Sequence, residues 1–325
     1  MNETEGLEPQ PEIQVSLTAI ILTFNEHLHI RRCIENVRRV ASQVIVVDSG
    51  STDGTVAIAR SLGAMVLTNP WVNHAVQFNW VLDHAPIETE WVMRLDADEY
   101  LDETLMARLP AALAGAPEGV AGFEVKRPTV FLGRRIAHGG MAPRLLRFWH
   151  RGAARCELRW MDEHMVMESG AVRRLPGNIV DDNLNDLTWW TDKHNRYANR
   201  EAVDLLWLRH GAADRAQDTR RSLMGGGINR LLKERVYARL PLGIRPWLFF
   251  AYRMILRGGF LDGYRGMMFH TLQGLWYRQL VDAKVMQVER AMQRDKLSLE
   301  RAARNVLGID VHEMTGTCSK QREGR

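Results

Sequence analysis

Three acids stand within four residues in Asp96-Ala97-Asp98-Glu99, directly after the apolar run Trp91-Val92-Met93-Arg94-Leu95. Such a run reads as a buried strand that delivers carboxylates to a sheet edge. In extended backbone residues two apart point the same way, which sets Asp96 and Asp98 on one side and Glu99 on the other. Two convergent carboxylates suit a hard cation: Mg²⁺ or Mn²⁺ takes oxygen ligands and is held by one or two carboxylates, with substrate phosphates completing the shell. That chemistry points to a nucleotide diphosphate. A lone Asp-x-Asp also fits a solvated turn, so the elements that position it decide between the two.

Those elements alternate. Leu17–Leu22 reads as a buried strand ending in Thr23-Phe24-Asn25-Glu26, and a helical pattern follows with Leu28, Cys33, Ile34, Val37 and Val40 on one side. Val44–Val47 is a second strand, closed by Asp48-Ser-Gly-Ser-Thr-Asp-Gly-Thr55, which opens a helix running through Leu62. A third strand at Ala64–Leu67 and a helix over Val76–Leu82 lead into the acidic strand. Strands alternating with helices predict right-handed βαβ units and a mainly parallel sheet. In such sheets ligands sit beyond the carboxyl ends of the strands, where strand order reverses. The clusters Thr23–Glu26, Asp48–Thr55 and Asp96–Glu99 fall at three such ends. Asp53 is placed to cap its helix, whereas Asp48 closes an apolar strand too early to cap and is expected to contact a nucleotide. Neither Gly50/Gly54 nor Gly225-Gly-Gly227 makes a dinucleotide fingerprint or a P-loop.

Taken in order, Thr-Phe-Asn-Glu, Asp-Ser-Gly-Ser-Thr-Asp-Gly-Thr and Leu-Asp-Ala-Asp-Glu resemble the motifs of family 2 inverting glycosyltransferases, in particular bacterial enzymes of lipopolysaccharide-core and exopolysaccharide synthesis. The resemblance implies an α/β fold of the glycosyltransferase A-type, a mainly parallel Rossmann-like sheet with a helical C-terminal extension. It implies a nucleotide-sugar donor, UDP-linked, with Thr23, Phe24 and Asp48 around the base, Glu26 in the same cluster, and Asp96 and Asp98 at ribose, diphosphate and metal. Family members often carry Tyr where this chain has Phe24, a change that keeps stacking and loses a hydroxyl. Gln77 and Asn79 match a helix facing the donor, although a basic residue common between them is Phe78 here.

For the acceptor, Arg144 and Arg147 lie three apart beside Trp149, a set suited to a phosphorylated or acidic sugar and equally compatible with surface arginines. An inverting transfer needs a base for the acceptor hydroxyl. In Arg159-Trp-Met-Asp-Glu-His164 a carboxylate beside Trp160 and Met161 has the apolar setting that raises a carboxyl pKa. The resemblance places the family's base in this region; Glu163 is the preferred residue and Asp162 the reserve. Residues 188–209 read as an amphipathic helix whose Lys193 and Arg196 are candidates for phosphate or acceptor, and 285–307 as a further basic helix.

The chain of 325 residues carries a net charge of +4, unevenly placed: residues 1–100 hold 6 Lys and Arg against 14 Asp and Glu, and the remainder 37 against 25. A basic C-terminal portion fits an anionic partner; with the glycosyltransferase resemblance this becomes a saccharide acceptor, lipid-linked, rather than nucleic acid. Cys33, Cys156 and Cys318 form no close pair, which argues for a reducing compartment, the cytosol. The expected organisation is a lead-in over 1–15, a catalytic domain over 16–185, a helical basic region over 186–307 and a tail over 308–325. Residues 240–280 are the most apolar and aromatic part, interrupted by Arg245, Arg253, Arg257 and Arg265. That pattern does not span a bilayer but suits helices lying in the headgroup region at the inner face of the cell membrane; a helical hairpin turning at Gly258-Gly259 and packed on the protein is the other option. A nucleotidyltransferase of similar fold lacks support, because residues 17–30 offer no lysine or arginine for a triphosphate. A non-catalytic glycan-binding or scaffold protein would not need Asp48, Asp96, Asp98 and Glu163 together.

Overall fold

The computed structural model describes residues 15–157, 164–210 and 240–309. The chain packs as two compact units, one built from the residues through Arg127 with Arg144–Cys156 and His164–Asn183, the other from Pro128–Pro143 with the described residues from Leu184 onward.

The first unit is a mixed α/β layer structure. β1 (Val15–Thr23), β2 (Ala41–Asp48), β3 (Met65–Thr68) and β4 (Trp91–Asp96) pair in parallel in the order β3-β2-β1-β4. The near-continuous apolar sequence of β1 and β2 follows from burial on both faces, as parallel strands require. β5 (Glu99–Leu101), β6 (Val120–Lys126), β9 (Arg144–His150) and β12 (Ala171–Asp181) extend the sheet: β9 lies antiparallel between β4 and β6, β12 runs parallel to β6, and β5 pairs antiparallel with β12, while β10 (Ala154–Cys156) and β11 (Met165–Met167) form a separate antiparallel pair. Three helices join the parallel strands or follow them: α1 (Ile30–Val37), α2 (Thr55–Ser61) and α3 (His74–His84). Ile30, Cys33, Ile34 and Val37 form the buried stripe of α1 at the spacing an amphipathic helix requires. Leu28, expected in that stripe, is exposed because the helix begins only at Ile30. A fourth helix, α4 (Glu103–Ala114), is capped by Asp102, whose carboxylate accepts from the Leu105 N–H.

The second unit contains a short hairpin, β7 (Thr129–Phe131) and β8 (Arg134–Ile136), and the C-terminal helices. α5 (Leu187–His210), close to the expected 188–209, packs Ala198, Ala202, Leu205 and Leu206 against Tyr277, Val281, Val285 and Val288. Helix α6 (Arg245–Ala251) continues into a π-wound turn, Tyr252–Leu256, and the chain reverses at Gly258, whose φ of +66° favours glycine. After the 3₁₀ turn Gly259–Asp262 come α7 (Gly263–Phe269), a π-wound stretch His270–Trp276 and α8 (Tyr277–Asp295). The helix expected over 285–307 is two: Lys296 turns left-handed at φ +52°, and the Ser298 hydroxyl caps α9 (Leu299–Leu307) by accepting from the Arg301 N–H. Among the described residues no helix is long and apolar enough to cross a membrane.

Candidate active site

The strand register brings the motifs together. Thr23 at the end of β1 stands opposite Asp48 at the end of β2, and Leu22 opposite Asp96 at the end of β4. β2 and β3 extend from one side of β1 while β4 lies on the other, so these carboxyl ends surround the point where strand order reverses.

The loops after β1 and β2 are stitched to each other. Asp48 is buried; its Oδ2 accepts from the N–H groups of Gly50 and Ser51, both at 2.9 Å, and its Oδ1 accepts from the Thr23 hydroxyl at 3.4 Å. Asp48 therefore shapes the loop that follows it, a task that sequence spacing did not reveal. Asn25, in the left-handed region at φ +56°, accepts from the Thr52 N–H through Oδ1 and donates its own N–H to Ser51. Glu26 donates its N–H to the Thr55 hydroxyl, and its carboxylate meets the buried His29 ring at 2.6 Å. Asp53 accepts from the Thr55 N–H and hydroxyl and contacts the His27 ring; burial would raise its carboxyl, but these hydrogen bonds win and lower it to about 2. Phe24 is the outlier in this polar knot, an aromatic ring 56% exposed at the end of a buried strand.

On α3, Gln77 is fully buried, accepts from the Asn69 amide, and donates to Ser49 Oγ and the Asn69 carbonyl. Asn79 exchanges two hydrogen bonds with the Cys156 backbone, at 2.9 and 3.0 Å. Both side chains sequence reasoning assigned to the donor are thus engaged inside the protein; Gln77 reaches the loop after Asp48, and Asn79 does not.

The three acids separate. β4 ends at Asp96 and a turn at Ala97-Asp98 precedes β5, so the extended alternation expected across all four residues stops short. Glu99 is completely buried. Its Oε2 folds back to accept the Asp96 N–H at 2.9 Å, and its Oε1 takes Arg147 at 2.7 Å and the Arg127 Nε. Asp96 remains 29% exposed, with the Arg94 and Arg147 guanidinium groups 3.7 and 3.9 Å away. Burial would raise the Asp96 carboxyl, but Arg94, Arg147 and Arg127 outweigh it and hold it below the usual carboxylate range. Asp98 is half-buried; its Oδ2 accepts from Asn183 at 2.9 Å, and its carbonyl takes Arg32 and the Asp182 N–H. Arg32 also pairs with Asp182 at 2.6 Å. Beneath the turn, burial and then the charges of Glu99, Asp98 and Asp96 push the Cys33 thiol well up, so it stays protonated.

Arg147, a candidate for the acceptor and equally for a surface arginine, is instead a buried counter-ion of this acidic turn, because a fully buried Glu99 demands a cation. Trp149, grouped with these arginines as a ring for the acceptor sugar, is wholly buried and packs edge-on against Phe78. Arg144 is exposed at the start of β9. In the second unit Lys193 lies over the Trp189 ring at 4.6 Å, and Arg196 is exposed. Asp162 and Glu163 lie outside the described residues. Arg32, Arg127, Asp182 and Asn183 are the supporting residues that sequence reading missed; the one signal was that an acid following a buried run needs basic partners.

Two oxygen-donor carboxylates, two residues apart, half-buried at a strand end, fit a hard divalent cation. Among the described residues no group of three His, Cys, Asp or Glu forms a metal cluster, so remaining ligands would have to come from elsewhere, as phosphates and water do for Mg²⁺.

A family model described as glycosyl transferase family 2 matches residues 18–173. The chain is similar to the lipopolysaccharide core biosynthesis glycosyltransferase LpsC of Rhizobium meliloti, 31% identical over 174 residues, which is 51% of this chain and 63% of that protein. It is also similar to an uncharacterized glycosyltransferase of Rickettsia bellii, 43% identical over 89 residues, 27% of this chain and 30% of the relative. The matches thus span less than two thirds of the length of these relatives. Among solved structures, the mannosyltransferase PcManGT of Pyrobaculum calidifontis, in complex with GDP-Man and Mn²⁺, is 16% identical with a TM-score of 0.45, covering 86% of this chain and 90% of that one. The stretch that matches the glycosyl transferase family 2 model, residues 18–173, carries all three strand-end motifs.

Proposed function

We propose that the chain is a metal-dependent inverting glycosyltransferase that moves a sugar from a nucleotide-diphospho-sugar, UDP-linked, to a saccharide acceptor in bacterial lipopolysaccharide or surface-polysaccharide synthesis. The observation that carries this reading is the register that gathers Thr23, Asp48 and Asp96 at the carboxyl ends of three adjacent strands. The likeness to LpsC supports the choice of pathway class.

In this reading the exposed Phe24 ring stacks on the base, and the loop organised by Asp48 receives the nucleoside. Asp98 and Asp96 are the residues that would hold Mg²⁺ or Mn²⁺, and the ion would supply positive charge against the negative charge developing on the departing diphosphate. Arg94 and Arg147 keep Asp96 ionised at neutral pH. Glu163, with Asp162 as the alternative, takes the proton of the acceptor hydroxyl on the face opposite the leaving group. Arg144, Lys193 and Arg196 are the exposed or half-buried cations offered to an anionic acceptor. The acceptor is lipid-linked and the enzyme works at the inner face of the cell membrane.

Glu163→Gln keeps size but cannot accept a proton, so kcat is expected to fall by roughly 10²–10⁴ with donor binding nearly unchanged. Steady-state transfer assays on Glu163→Gln and Asp162→Asn decide the assignment. Loss in the second variant alone moves the base by one residue, and full activity in both removes this segment from the chemistry.

A further inference from the structure

Residues 245–268 turn the usual arrangement of a surface helix inside out. Arg245, Phe249 and Arg253, four apart, form one stripe; both arginines are buried, and Phe249 lies under the Arg253 guanidinium at 5.6 Å. Arg245 pairs with the buried Asp282, its Nε at 2.8 Å from the carboxylate, and Arg253 donates to the Gly139 carbonyl and to Gln273. The opposite stripe, Leu248, Tyr252, Ile255 and Leu256, faces outward, with Ile255 69% and Leu256 76% exposed. Phe260 and Leu261 in the turn after Gly258, and Tyr264, Met267 and Met268 on α7, continue it across segments that pack on one another. Among the described residues, eleven of the twenty-one exposed large apolar side chains fall between Ile244 and Met268.

Charge is sorted with the same sign. Residues 240–280 contain one acid, Asp262, and residues 128–143 contain none. Asp262 is buried and faces the protein, accepting from the N–H groups of Ala137 and His138 and contacting the His138 ring at 2.7 Å. The cations left outside are Arg257 and Arg265 on the helices and Arg134 and Arg135 on β8. Arg134 lies 3.6 Å from where a Cβ on Gly263 would stand, so the hairpin borders the apolar face.

We propose that this face docks on an anionic lipid bilayer, with the hairpin tip around Ile255, Leu256, Phe260 and Tyr264 in the acyl boundary and Arg134, Arg135, Arg257 and Arg265 at the phosphates. Isolated apolar side chains on a surface need no explanation, but a continuous set does. Within 128–143 and 240–280 the exposed arginines have no exposed acid among them, a border that selects an anionic partner, and aromatic rings beside arginines suit the headgroup level. A second copy of the chain would bring arginine against arginine. The inference takes its purpose from the lipid-linked acceptor of the proposed function, but its test does not depend on catalysis.

The full chain is floated with neutral phosphatidylcholine vesicles and with vesicles containing roughly 30% phosphatidylglycerol, a surface that attracts each nearby arginine by about fivefold in partitioning. Binding to the anionic vesicles is expected, weakening with salt. Ile255→Ser, Leu256→Ser and Phe260→Ser combined should reduce partitioning more than tenfold, with an unchanged melting curve because all three side chains are exposed. Arg257→Gln and Arg265→Gln should each reduce partitioning by about fivefold on anionic vesicles only. Wild-type protein that stays in the soluble fraction at low salt overturns the proposal, as does triple-variant binding equal to wild type. A wild-type dimer that the triple variant converts to monomer, without vesicle binding, assigns the face to a second copy. Donor binding by the same samples, measured in solution, separates failure here from failure of the glycosyltransferase reading.

Discussion

The acidic turn of the first unit and the Gly258 hairpin of the second both bury charge, and they do so for opposite surroundings. At the turn, Glu99 is sunk beneath Asp96 and Asp98 and gathers Arg127 and Arg147 under them, so that carboxylates are what the surface presents. At the hairpin, Arg245, Arg253 and Asp262 are drawn inward to partners, and the surface presents Ile255, Leu256 and Tyr264. Glu99 and Arg245 are tolerated because each is paired with an opposite charge, and Arg253 because its guanidinium donates to the Gly139 carbonyl and to Gln273. What remains outside is the ground for the two proposals, cation and phosphate at one region and lipid at the other.

If Glu99 is the keystone of the first region, removing its charge should have the largest effect on the comparison. Glu99→Gln leaves Arg147 buried without its closest counter-ion and is expected to cost about 3–5 kcal/mol in denaturant unfolding. A change within the error of a surface substitution would show that the turn does not need this pairing.

The hairpin offers a smaller test through His270, which is fully buried with Nε2 at 3.8 Å from Asp262. Burial, then the charge of Arg253, outweigh the attraction of Asp262 and hold the imidazole at about 4. Because that value lies below the ordinary one, the unfolded chain takes up its proton first. Stability is full above pH ~6.5 and falls by about 3 kcal/mol as pH drops toward 4. Denaturation midpoints at pH 7.5 and 5 should differ for the wild type, and His270→Gln should flatten the difference; an equal slope in both would remove His270 as its source.

How much of this was legible in the sequence follows from the range of the interactions. The strands of the parallel half, their helices and the three strand-end clusters were readable, because apolar runs and periodicity are local. The roles within the clusters were less so. Asp48 was legible as a strand-end acid but not as the acceptor that shapes its own loop, and Arg147 was read as an acceptor contact because its partner Glu99 lies 48 positions away. The split of 285–307 at Lys296 rested on a left-handed turn in a residue that rarely takes one. The arginines of 240–280 were visible as interruptions, but which of them face inward depends on Asp282, Gly139 and Gln273, contacts set by packing rather than by spacing.

Through Asp98 and Asp96, donor binding is expected to depend on a divalent cation. Thermal unfolding of the intact chain with UDP- and GDP-linked sugars, in Mn²⁺ and in excess chelator, tests it most directly. A ligand at 100 times its Kd stabilises the folded state by about 2.7 kcal/mol. That gain is expected for at least one donor in Mn²⁺, with none in chelator and none for Asp98→Ala, whose own unfolding in the absence of ligand should be close to wild type. Equal stabilisation in chelator, or in Asp98→Ala with Mn²⁺, would contradict it.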